Sequence, residues 1–116
     1  MKLYGIPNCN TVKKARDWLS EHDVVVEFHD FKKHGLTAET AQSWLQQTEW
    51  HKLINRSGLT WRGLDEQRKL QIVDNASALT LMLEKTSVIK RPLLVRDGTL
   101  LHIGFDETAY RKIFQL

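Results

Sequence analysis

A chain of 116 residues with 41% hydrophobic and 27% charged side chains has the composition of one folded domain with its own core, well away from the low-hydropathy, high-charge range of disorder. Seventeen Lys and Arg against fourteen Asp and Glu leave +3, and the balance is even along the chain: 8 bases and 7 acids through residue 58, 9 and 7 after it. That excludes a basic tail and argues against direct nucleic-acid binding, although it suits an anionic small-molecule partner. No apolar run near the N-terminus is long enough for a signal peptide or a membrane span, so the expected location is cytoplasmic.

Residues 2–6 alternate and carry Tyr4 and Ile6, which predicts a short strand stopped by Pro7, a residue with no N–H for a ladder. From about Asn10 to Glu21 the apolar positions Val12, Ala15, Trp18 and Leu19 recur at helical spacing, with charged residues between them. Val24, Val25, Val26 and Phe28 form a β-branched run that predicts a second strand, completing a βαβ opening and implying a parallel pair. Thr37 is placed to cap a helix carrying Ala41, Trp44 and Leu45, and the helical period resumes over Glu49–Ile54 before Ser57-Gly58 breaks it. Further helix is expected near Asp65 to Gln71 and over Ala78–Glu84. After Pro92 come Leu93, Leu94 and Val95, then Asp97-Gly98, then Leu100, Leu101 and Ile103, the pattern of a β-hairpin with an Asp-Gly turn. Asp106 is placed to cap a last helix with Ala109, Tyr110 and Ile113.

One residue in this pattern carries a chemistry of its own. Cys9 is the only cysteine, so it forms no internal disulfide, and it falls between a strand that ends at Pro7 and a helix that starts near Asn10 or Thr11. There its sulfur faces the unpaired N–H groups and the positive end of the helix dipole, which stabilise a thiolate, the nucleophilic form. A small inert buried residue is the competing reading, and the placement favours the reactive one. Thr11 is open to two roles, a hydrogen bond to the sulfur or a helix cap. Lys13, Lys14 and Arg16 read as a solvated helix face. His22, His29, His34, His51 and His102 are scattered without metal-like spacing near Cys9, so no metal site is expected. Trp44, Trp50 and Trp61 read as packing residues.

Asn8-Cys9-Asn10-Thr11 after a first strand, Arg91-Pro92 before a late hairpin, and a helical stretch between them resemble the ArsC-type reductase family, which also takes in the Spx regulators and the YffB-like proteins. The run Pro7-Asn8-Cys9 followed by Thr11-Val12-Lys13-Lys14-Ala15 is most similar to the YffB-like branch, single-cysteine proteins. The resemblance implies a thioredoxin-like α/β fold, a mixed βαβ…ββα sheet whose core is about 1–34 and 87–116, with a helical insert over about 35–86 in a single ArsC-like domain. It implies that the peptide bond before Pro92 is cis and that this proline faces the active cysteine. Arg91 then matches an oxyanion-binding arginine, a role that suits a guanidinium, whose donors fork onto an anion and whose charge lowers a nearby thiol pKa. Arg56 matches a second family arginine, on the resemblance alone.

Two departures from the family bear on activity. Arsenate reductases carry a third arginine after a Gly-Thr in the last strand region, where this chain has Gly98-Thr99-Leu100 and no arginine before Arg111, which makes arsenate reduction doubtful. Spx regulators pair two cysteines three positions apart, and this chain has Val12 at the second, which excludes that internal switch. The expected function is therefore a thiol oxidoreductase in which Cys9 reacts and an external thiol, glutathione, resolves the intermediate; no bound cofactor is expected. Substrate-binding roles fall to Arg91, Pro92, Arg56 and Thr11. The rival reading is a non-enzymatic, Spx-like regulator or protein-binding module, for which the resemblance implies RNA polymerase as partner.

Overall fold

Residues Lys2–Gly5 form β1, the strand from which the sheet of the computed structural model, which describes residues 1–116, is built. Leu3, Tyr4 and Gly5 are all buried, the near-continuous burial expected of a strand covered on both faces. The four-stranded sheet has the order β2-β1-β3-β4, with β2 at Glu27–Asp30, β3 at Leu93–Arg96 and β4 at Thr99–Ile103. β1 runs parallel to β2 and antiparallel to β3, and β3 pairs antiparallel with β4. The α/β class and the mixed sheet are as the sequence predicts.

Between β1 and β2 the chain crosses over as α1, Asn10–Glu21, which turns Val12, Ala15, Trp18 and Leu19 inward. Asp106 caps the last helix, Glu107–Phe114, by accepting the Thr108 N–H at 3.0 Å. Its Tyr110 joins Leu3, Ala15, Trp18, Leu19 and Leu94 in one buried cluster, so α1 and the last helix share a core with the sheet. Asp97 and Gly98, at φ +49° and +81°, make the hairpin turn in which both central residues are left-handed, the geometry that favours Asp-Gly.

The second strand lies later than the valine run. β2 begins at Glu27 because its register is fixed by pairing Lys2 with Glu27 and Gly5 with Asp30. Val24 and Val26 still pack against the core cluster from an unladdered segment, while Val25 is 91% exposed. The β-branched run predicts a strand there; the register with β1 decides where its ladder falls.

Met1–His34 and Arg91–Leu116 form one compact unit and Gly35–Lys90 a second. Within the second, Thr37 caps the helix Ala38–Gln47 by accepting the Thr40 N–H, and Ala41, Trp44 and Leu45 are buried. This helix packs on Asn75–Glu84, one turn longer than the sequence predicts because Asp74 and Ser77 form a reciprocal capping box. The unit holds three shorter helices, Trp50–Leu53, Leu59–Arg62 and Glu66–Gln71, and a 3₁₀ turn over Thr86–Val88. Its outgoing and returning segments are laced together by an Ile54–Ile89 bridge, with Asn55 N–H on the Val88 carbonyl at 2.8 Å and Lys90 N–H on the Leu53 carbonyl at 2.7 Å. No helix is long and apolar enough to cross a membrane.

Candidate active site

Cys9 occupies the N-cap position of α1, with extended backbone at φ −131° and ψ 123°, and its carbonyl accepts the first helical hydrogen bond from Lys13 N–H at 2.9 Å. A cap side chain lies where the N–H groups two and three residues on have no helical partner. Here those residues are Thr11 and Val12. The Cys9 sulfur stands off these N–H groups without the close cap hydrogen bond that Thr37 and Asp74 make, and they act on it chiefly by favouring negative charge. What the site favours is the charged form.

The balance of effects on the sulfur makes this explicit. Partial burial is the largest single influence and pushes the Cys9 pKa up; the Val12 N–H, a hydrogen bond from the Arg91 side chain, the Thr11 N–H and the Arg91 charge together outweigh it, holding the thiol below its ordinary value. Cys9 is partly exposed, so the thiolate is also accessible.

The close fit of α1 on β1 fixes where the Val12 N–H lies. A Cβ on Gly5 would stand 2.9 Å from Val12 Cγ2, so only glycine lets the buried Val12 seat against the strand. On the opposite side of the site, the Arg91–Pro92 bond is cis. The Pro92 carbonyl accepts Gly104 N–H at 2.8 Å, which clamps the start of β3 to the end of β4. Gly104 has φ +83°, a conformation L side chains rarely adopt. Arg91 is half-buried beside this clamp, with its side chain directed to Cys9.

The structure thus brings Cys9, Thr11, Arg91 and Pro92 together in one unit. Of the two roles open to Thr11, the cap belongs to Cys9 instead; Thr11 is exposed and serves the sulfur through its backbone N–H. Arg56 lies in the other unit, exposed, with its guanidinium 5.9 Å from the centre of the Trp50 ring. Arg111 does not stand in for the third family arginine: it pairs with Glu107 at 3.0 Å and lies over Trp18. The histidines have local partners, such as His22 Nδ1 on the Trp18 carbonyl at 2.8 Å and the His102 ring edge-on to Tyr110. No group of three His, Cys, Asp or Glu residues is placed to hold a metal ion. The unpaired N–H groups that the sequence reading set against the sulfur are those of Val12 and Thr11, as the N-cap rule gives once Cys9 itself is the cap.

A match to the ArsC family model runs over residues 4–113, nearly the whole chain. The chain belongs to the ArsC family. Among solved structures of ArsC-like proteins, a YFFB protein superposes with a TM-score of 0.90 at 44% identity, covering 96% of both chains. An arsenate reductase (ArsC) related protein from Brucella melitensis gives 0.77 at 48% identity, over 99% of this chain and 94% of its own. An uncharacterized protein of Haemophilus influenzae is 41% identical over 97% of this chain and 96% of its own length. More distant relatives include the global transcriptional regulator Spx of Streptococcus mutans, 29% identical over 94% of this chain and 79% of its own. The thioredoxin-like fold of this ArsC-family member is shared with these solved structures.

Proposed function

We propose that this ArsC-family protein is a cytoplasmic, glutathione-dependent thiol oxidoreductase that works through a single thiolate. The observation that carries the reading is the Cys9 site itself: a partly exposed sulfur, set against the Val12 and Thr11 N–H groups and the Arg91 guanidinium, with its pKa held below the ordinary thiol value. In the first step the Cys9 thiolate attacks one sulfur of a disulfide, the Cys9–sulfur bond forms, the old S–S bond breaks, and the other half leaves as a thiolate that takes a proton from solvent. No second cysteine is present to resolve the product. A glutathione thiolate therefore attacks the sulfur attached to Cys9, leaves carrying it as a new disulfide, and returns Cys9 as the thiolate. Electrons balance: one disulfide is reduced and one is formed.

In this scheme Arg91 supplies charge to the anionic end of the substrate and Pro92 opens the strand beside it. Arsenate is a poor candidate substrate, because Leu100 occupies the region of the third arginine and Arg111 is engaged by Glu107. The test is mass spectrometry after exposure to oxidised glutathione at neutral pH. The expected result is one glutathione per chain, removable by excess reduced glutathione and absent from Cys9→Ser. A wild-type protein that stays unmodified when folded but reacts when denatured would refute the reading.

A second reading is a regulator that binds a protein partner, RNA polymerase being the one the Spx resemblance suggests. It is favoured by several relatives named global transcriptional regulator Spx, among them proteins 27% and 29% identical to this chain over most of its length. Absence of disulfide turnover together with stoichiometric binding to purified RNA polymerase would favour this reading over the first.

A further inference from the structure

The sheet order leaves two strands with a neighbour on one side only, β4 and β2. An open edge presents N–H and C=O groups that a further strand can bond. The β4 edge is broken: Leu94 pairs with His102 and Val95 with Leu100, so Leu101 is an extra residue that bulges the strand and spoils a regular ladder. The β2 edge is regular, pairing with β1 over four successive residues without a bulge or a proline. Glu27 donates its N–H to the Met1 carbonyl at 3.0 Å, and main-chain direction alternates along a strand, so Glu27 and His29 bond β1 while the N–H and C=O of Phe28 face the open side. Side chains divide in the same way. Glu27 and His29 share one face with Lys2, 3.8 Å from Glu27, and with Tyr4, whose ring centre lies 4.7 Å from that of His29. Phe28 is on the other face, its ring centre 4.2 Å from the Arg16 guanidinium. Just before the strand, Val25 is the most exposed of the large apolar residues.

We propose that β2 pairs antiparallel with β2 of a second copy of this chain, about a two-fold axis at Phe28, joining two four-stranded sheets into one. The charges along the strand select this register. Because only alternate residues face outward, a self-paired β2 centres on Glu27, Phe28 or His29. Centred on Glu27, it sets two carboxylates opposite each other. Centred on His29, it opposes two identical imidazoles and places Phe28 against Asp30 of the second copy. Centred on Phe28, it sets each Glu27 carboxylate opposite His29 of the second copy, twice by symmetry, and brings the two Phe28 rings together on the other face. Like charges directly opposite destabilise a strand pair, whereas complementary and aromatic pairs stabilise it. Lys2 belongs to β1, on the far side of Glu27 from the open edge, so the new pair leaves the Lys2–Glu27 contact in place. Pairing also gives the outward N–H and C=O of Phe28 main-chain partners, and Val25 lies within the contact. A four-residue edge makes a small interface, so the dimer forms reversibly and at high protein concentration. The proposal is independent of the chemistry at Cys9.

The experiment is sedimentation equilibrium of the full chain over a micromolar to millimolar concentration series, with amide hydrogen exchange followed at both ends of it. Wild type should pass from monomer to dimer, and exchange at the Phe28 N–H should slow as it does so, while Glu27 and His29, already bonded to β1, stay unchanged. Glu27→Lys and His29→Glu should each raise the dissociation constant about tenfold, because each alters two symmetry-related exposed pairs. Combined, the two substitutions set a cation opposite a carboxylate again and should return the constant close to the wild-type value; thermal unfolding checks that all three variants are folded. Cys9→Ser should dimerise as wild type does. A chain that stays monomeric at every concentration overturns the proposal. So does a dimer that needs Cys9, one whose Phe28 amide is unprotected, or a combined variant that associates no better than the single ones.

Discussion

Replacing Arg91 with alanine tests the active site most directly, because it removes one hydrogen bond and one positive charge from the Cys9 sulfur and leaves the Val12 and Thr11 N–H groups in place. The Cys9 pKa should rise, since both lost influences favour the thiolate. A hydrogen bond to a charged group contributes about 1.5 to 3 kcal/mol, and a partly exposed site takes the low end because water screens it. The rate changes less than the thiolate population does. A thiolate of higher pKa is intrinsically more nucleophilic, with a Brønsted coefficient of about 0.4 to 0.5, so roughly half of the loss is recovered. The expected fall with bis(2-hydroxyethyl) disulfide is therefore about fourfold on the acid limb of the profile, where the thiol is mostly protonated, and no more than that at pH 7. This neutral reagent is chosen so that lost substrate binding does not enter. The assay is a pH–rate profile of wild type, Arg91→Ala and Arg91→Lys, after thermal unfolding has shown all three to be folded, since Arg91 is half-buried. At alkaline pH, where every variant is fully thiolate, Arg91→Ala should equal or exceed wild type, and Arg91→Lys should fall between the two at pH 7. A wild-type rate at pH 7 with an unshifted profile, or a uniform loss at every pH, would refute the assigned role.

The same lowered pKa predicts a pH-dependent stability. With the folded thiol below the unfolded value of about 8.5, the unfolded chain holds the extra proton between the two, so the thiolate's contribution is complete above about pH 8.5 and is lost as pH falls through the folded pKa. Denaturant titrations of wild type and Cys9→Ser should show their stability difference shifting toward wild type as pH rises through that window; a flat difference would contradict the depressed pKa. Gly5→Ala should destabilise by about 1 to 3 kcal/mol in the same titration and also raise the Cys9 pKa, because a methyl 2.9 Å from Val12 Cγ2 displaces the residue whose N–H faces the sulfur. Unchanged stability and thiol titration in Gly5→Ala would show that α1 seats without the glycine.

Much of this protein was determined by the sequence acting locally. A strand stopped by Pro7, a helical period behind Cys9, caps at Thr37 and Asp106, and an Asp-Gly turn are all written within a few residues of where they act, and the structure places each of them there. Cys9 was legible as a reactive residue for the same reason, since the stabilising N–H groups belong to the helix it opens. Tertiary structure decided what depends on residues far apart in the chain. The ladder of β2 follows the register with β1 and passes over the more β-prone valines. Arg91 reaches Cys9 across 82 positions, because β1 and β3 pair side by side and so bring the two strand ends together.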